Sequence, residues 1–181
     1  MSNQAIDQDS FRIRHDDGTE AGANWLVPAN TDVKSSAGWT FRARFLLQET
    51  GGKTANFQPE WRYSINGAAY ALISTSSSYI KLVTSGTVTD ATATTQQLGA
   101  GDFDGGEFDD EGTMANEAFA RVDEREYEGC FQMVPADLAV GDTIAIRMYR
   151  SGGTGLDTYT NTPTLTIRQK ANVVHTGQGV V

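Results

Sequence analysis

One cysteine, two histidines and only fourteen basic residues in 181 positions remove several explanations before any pattern is considered. A lone Cys130 forms no internal bridge, so the fold rests on its core and not on disulfides. With no activating base beside it, that thiol reads as a small apolar strand residue and not as a nucleophile. His15 stands next to a turn and His175 near the end of the chain, where a fixed geometry is hard to hold. Read as surface residues, they leave a serine triad without a base. There is no GxxxxGKS/T loop, no GxSxG elbow, no HExxH and no Cys/His cluster. Phosphoryl transfer, metalloprotease chemistry and dinucleotide binding therefore have no footing. Carboxylate pairs for glycoside hydrolysis exist in any acidic β-protein and carry no argument, so the expectation is a protein that is not an enzyme.

The shortage of Lys and Arg against 23 acidic residues gives a net charge of -9 and a pI near 4.6. Phosphate-backbone binding needs the opposite balance, so nucleic acid is not expected as a partner. No window approaches the ~18 apolar residues of a membrane span. The start, MSNQAIDQDS, has neither the basic nor the apolar region of a secretory leader. The expectation is a chain with no membrane association, made in the cytoplasm.

What the sequence has in abundance is alternation. In WTFRARFLLQ, Trp39, Phe41, Ala43, Phe45 and Leu47 share one face, while Thr40, Arg42, Arg44 and Gln48 fall mostly on the other, the period of a half-buried strand. FRIR, FQPEWRYSI, YEGCFQM, DTIAIRMYR and TPTLTI repeat it, and AYALI and YIKLV add two shorter runs. Asn66-Gly67, between WRYSI and AAYALI, is the pair favoured in a two-residue hairpin, where both central residues take positive φ. Gly51-Gly52, Gly141-Asp142 and Ser151-Gly152-Gly153 mark further reversals. NEAFARVDER shows an i, i+4 apolar pair, Ala118 and Val122, and reads as a helical turn at most. The pattern predicts an all-β, antiparallel, jelly-roll-like sandwich of about eight strands. It would occupy 10–167, between an N-terminal arm, 1–9, and a tail, 168–181, with a long acidic, glycine-rich insertion loop at 98–121.

The centre of that loop, GDFDGGEFDDEG, is the one concentrated chemical signal. Asp102, Asp104, Glu107, Asp109 and Asp110 on a turning backbone could supply oxygen ligands to Ca²⁺. The spacing is not that of an EF-hand, because the glycine comes one place early and Thr113 stands where the twelfth-position Glu belongs. The alternative is a solvated, self-repelling surface loop. Of the three tryptophans, Trp39 and Trp61 share faces with large apolar residues and read as core. Trp25, in GANWLVP, is either a contact residue or a plug at a sheet edge.

The segments QDSFRIRHDDGTE, RFLLQETGG, YSINGAAY, ATTQQLG and DTYTNTPTLTI together resemble a family of β-rich virion proteins of tailed bacteriophages and prophages, over about Gln8 to Ile167. The resemblance transfers no catalytic residues. It implies a structural or adhesive role on the particle, as a head decoration or fibre component. The expectation is a capsid decoration protein on the outer surface of the virion, a homo-oligomer expected as a trimer, with the major capsid protein as partner and 2–9 and 168–181 as contact arms. The alternative is a receptor- or glycan-binding module whose binding face includes Trp25, Tyr79 and Tyr159.

Overall fold

The computed structural model describes residues 4–121 and 123–168, and all regular structure among them is β-strand. In chain order the strands are β1 (Ile6–Arg14), β2 (Val33–Ser36), β3 (Thr40–Glu49), β4 (Ala55–Phe57), β5 (Pro59–Ile65), β6 (Ala71–Leu72) and β7 (Ile80–Leu82). The second half adds β8 (Asp102–Phe103), β9 (Phe108–Asp109), β10 (Glu117–Phe119), β11 (Asp123–Met133), β12 (Thr143–Arg150), β13 (Thr154–Gly155), β14 (Thr158–Tyr159) and β15 (Thr164–Arg168). Every run read as a strand from its alternation contains one, with FQPEWRYSI broken at Gln58 between β4 and β5. The other strands are pieces of two to four residues, too short to leave a period in the sequence. One of them, β10, replaces the helical turn expected in NEAFARVDER, because Glu117–Phe119 pairs with β4. The segment assigned to an N-terminal arm contributes Ile6–Asp9 to β1. Of the expected tail only Arg168 falls within the described residues, and His175 lies outside them.

Two sheets form a sandwich. The first has the order β14-β1-β3-β11-β7, with β8 and β9 also along β11; the second has the order β2-β15-β12-β5-β6, with β13 beside β12. The long pairings, β1 with β3, β3 with β11 and β5 with β12, are antiparallel as expected. At the edges β14, β8, β9 and β2 pair in parallel, so the sheets are mixed and not wholly antiparallel. The Asn66-Gly67 turn is present, with φ of 50° and 77° and the Ala68 N–H donating to the Ile65 carbonyl at 2.9 Å.

Between the sheets lies the core that the alternation predicts. Phe11, Ile13, Phe41, Ala43 and Phe45 from one side meet Trp61, Ile144, Ile146 and Met148 from the other. Burial of side chains this large is the main favourable term of the fold, each worth about 1.5–3 kcal/mol. Trp61 sits at the centre, 5.4 Å from the Phe45 ring and 5.3 Å from Phe131. It fits because Gly129 of β11 has no side chain; a Cβ there would lie 2.4 Å from the Phe131 ring and 3.1 Å from the Trp61 indole.

The opposite face of the first sheet departs from the half-buried strand expected of β3. Arg14, Arg42, Arg44, Glu126 and Glu128 project there, and all are fully buried. They are roofed by 15–20 and 94–99, which hydrogen-bond onto them. The Glu128 carboxylate receives Arg14 Nε at 2.8 Å and Arg44 Nε at 2.6 Å, with Arg42 Nε at 3.3 Å. Arg44 also reaches Glu126 at 3.1 Å, pairs with Glu20 and donates to the Thr95 carbonyl at 2.7 Å. Arg42 donates to the Gly18 carbonyl at 2.8 Å, and Arg14 to the side chain of Gln97 at 3.2 Å. Alternation identifies the second face of a strand but not whether water covers it; here a loop layer does.

Burial alone would depress both Arg14 and Arg44. Arg14 is lowered, whereas Glu128 and Glu20 together carry Arg44 above its ordinary value. Taking Glu128 out would leave three guanidinium groups around an uncompensated site, and breaking a buried pair in this way costs about 3–5 kcal/mol. Glu128→Gln should therefore lower the urea-unfolding free energy by about that amount. Arg150→Ala, which removes the more exposed pair with Asp157, should cost less than about 1 kcal/mol.

Candidate functional site

The outer face of the second sheet carries a different arrangement. Along β12, Ile144, Ile146 and Met148 point into the core, which sends Ala145, Arg147 and Tyr149 outward. The β5 register sets Arg147 directly across from Arg62, a like-charge pairing that would be unfavourable alone. Aromatic rings take up both cations. The Arg147 guanidinium lies 4.2 Å from the centroid of Tyr159 and 4.9 Å from that of Tyr70, and Arg62 lies 5.4 Å from Tyr149. Tyr149 in turn packs 5.5 Å from Tyr70 and 5.9 Å from Tyr159. Each such cation–aromatic contact is worth roughly 0.5–1 kcal/mol at partly exposed sites.

The cluster is held from beneath. Tyr159 donates its O–H to the Met148 carbonyl at 2.8 Å and accepts the Leu156 N–H at 2.9 Å. Burial, with help from Tyr149 and Tyr70, pushes its phenol up to about 12. Arg147 Nε donates to Thr162 Oγ1 at 2.9 Å. Arg62 is tied to Glu60 at 2.6 Å and to the Tyr70 carbonyl at 3.2 Å. The chain reverses beside it at Gly153, with φ of 86°, where a Cβ would come within 2.6 Å of the Arg62 guanidinium. All five side chains are half-buried and share one face. Such a face offers ring surfaces and guanidinium donors in fixed positions, which suits binding; it presents no nucleophile with an adjacent base.

Of the three aromatic residues expected to form a binding face, only Tyr159 belongs to this cluster. Trp25 lies over the first sheet, with the Arg12 and Arg14 guanidinium groups 4.6 and 4.7 Å from its ring, so it covers the buried charges as an edge plug would. Tyr79 packs against Tyr63, 6.2 Å between centroids, and joins the margin of the core. The structure does not bring the three together. Tyr70, Tyr149, Arg62 and Arg147 escaped notice in the sequence, although the signal was there. Arg147 and Tyr149 occupy the alternate positions of TIAIRMYR, the ones its apolar face leaves out.

The five carboxylates of the acidic stretch differ in their surroundings, with Asp109 close enough to Glu107 and Asp110 to help raise both carboxyls. Asp102 is exposed at the β11 edge, and Asp104 pairs with Arg125. Glu107 accepts the Ala115 N–H, and Asp110 accepts that of Ser85 at 2.7 Å. Asp109 is buried; it accepts Trp61 Nε1 at 2.7 Å and the N–H groups of Glu111, Gly112 and Thr113 at 3.2, 2.7 and 3.3 Å. Burial raises the Glu107, Asp109 and Asp110 carboxyls. Among the described residues no group of three or more His, Cys, Asp or Glu side chains is arranged to hold a metal ion. The solvated loop envisaged as the alternative does not describe Asp109 and Asp110, since both are buried. They serve as acceptors for backbone donors that tight turns leave over.

Asp109→Ala would leave the Trp61 N–H buried without an acceptor, a cost of about 1–3 kcal/mol. The variant should lose that much in urea unfolding, by the same amount with millimolar Ca²⁺ as with a chelator. A loss seen only with Ca²⁺ present would indicate a metal-ligand role instead.

Set against family models, curated proteins and solved structures, the chain finds no match in any of the three comparisons.

Proposed function

We propose that this chain is a structural protein of a tailed-phage virion, a non-catalytic capsid decoration protein that binds the assembled shell from outside. In this reading the major capsid protein is its partner and the chain acts as a homo-oligomer, a trimer by expectation. The observation that carries the reading is the Tyr70, Tyr149, Tyr159, Arg62 and Arg147 face. Tyr and Arg are the residue types most enriched, with Trp, at the energetic centres of protein interfaces. Held by packing before any partner arrives, they lose little side-chain entropy on binding. Several copies acting together would turn modest contacts into stable attachment through effective concentration. The charge of -9 suits a protein displayed away from packaged DNA.

Half-buried ring faces at the surface also favour a second reading, a glycan- or receptor-binding module on a fibre, because sugar rings stack on such surfaces. Electron microscopy of purified particles, with copy number, separates the two. Hundreds of copies on the shell support decoration; a few dozen or fewer support a fibre or tail. Arg147→Glu combined with Tyr149→Ser should reduce shell occupancy about tenfold, as expected when a hot-spot cluster is lost. Unchanged occupancy would remove this face from the interface, and glycan-array binding abolished by the same pair would select the second reading.

A further inference from the structure

The second sheet ends in β2, which among the described residues has a neighbour on one side only. The direction of its free backbone groups follows from β15. Ile167 uses its N–H on the Asp142 carbonyl and its carbonyl on the Gly141 N–H, both at 2.9 Å. Ile167 therefore faces away from β2, and its neighbours Thr166 and Arg168 face towards it. In the parallel register of Lys34 with Thr166 and Ser35 with Ile167, Val33 and Ser35 then bond to β15. Lys34 turns its N–H and carbonyl to the open edge.

Two adjoining hollows of about 270 and 420 Å³ lie there, with Leu26, Lys34 and Arg168 common to both. His15, Ser35, Ser36 and Trp39 also line the first. The second includes Asp32, whose carboxylate is already engaged by the Thr164 N–H at 2.8 Å. Lys34 and Arg168 are exposed and form no ion pair among the described residues. Apolar walls from Leu26 and Trp39, and a strand edge and two cations without partners among the described residues, thus converge on a protein that is otherwise strongly acidic.

We propose that this groove receives an extended segment of a different polypeptide, added beside β2 as a further strand, with an apolar side chain against Leu26 and Trp39 and a carboxylate facing Lys34 and Arg168. Backbone pairing to Lys34 supplies register and the flanking pocket supplies selectivity, the usual division in strand addition. A second copy docking edge to edge through β2 would set Lys34 against Lys34, the repulsion by which natural sheets protect their edges. That favours an acidic partner over self-association. The groove is separate from the Tyr–Arg face, so either assignment can fail without the other.

The test uses the full chain and two capped hexapeptides, one alternating Val and Glu and one alternating Val and Lys, with binding measured by calorimetry and by exchange of the Lys34 amide. The Glu peptide should bind and slow exchange at Lys34. Lys34→Pro removes the outward N–H at an edge position that tolerates proline, and should weaken binding about tenfold. Should that variant unfold, Lys34→Glu decides, since it should invert the preference between the two peptides. Equal binding of both peptides, or no binding, overturns the proposal. So does a Lys34 amide already slow in the free protein: independence from concentration would show the edge filled by the same chain, and dependence on it would show a second copy there.

Discussion

Glu128 is the constraint on which the rest of the molecule depends. A carboxylate with no exposure to water, set between the guanidinium groups of Arg14, Arg42 and Arg44, is tolerable only if each charge finds a partner and each remaining donor an acceptor. The sheet itself supplies Glu126, and the rest comes from two loops. Glu20, the carbonyls of Gly18 and Thr95 and the side chain of Gln97 close the set. Because the charges sit on the strands and many of their acceptors on the loops, neither can be satisfied without the other. Within this set, Arg42 Nη1 has no acceptor among the described residues.

The consequence is a three-layer protein in which irregular chain behaves as structure. Glu126 accepts the backbone N–H groups of Gln97, Leu98 and Gly99 at 2.8, 2.6 and 3.0 Å, so a stretch with no period of its own is fastened to β11. Further along, Gly106 lets the backbone lie against the same strand; at φ of 133°, a Cβ there would come within 2.1 Å of the Glu126 carbonyl. With the first sheet held between an apolar core and a charged roof, the second sheet has a rigid support. Its own outer surface is then free to carry the Tyr–Arg cluster on one strand pair and the open edge of β2 at its margin.

Much of this was legible in the sequence, and what was not fails for definable reasons. The long strands, the Asn66-Gly67 reversal, the core role of Trp61 and the buried Cys130 all follow from period and turn chemistry, which act locally. The fate of Arg42 and Arg44 does not, because alternation marks two faces and only tertiary structure decides what covers the second. The acidic stretch shows the same limit of local reading. Its charge alone does not reveal that Asp109 accepts from Trp61, 48 positions away in the chain, and from its own turn. In the Tyr–Arg face, Tyr159 was visible as a loop aromatic. Tyr70 and Tyr149 join it only once the β5–β12 register and the 156–160 crossing between sheets are fixed.

The central claim, that buried charge binds the loop layer to the sheet, is tested most directly by native-state hydrogen exchange at Gln97, Leu98 and Gly99. If Glu126 holds these amides as the structure describes, they should exchange only through global unfolding, with opening free energies equal to those of β3 and β11. Exchange at the rate of free loop amides, while the strands stay protected, would contradict the account.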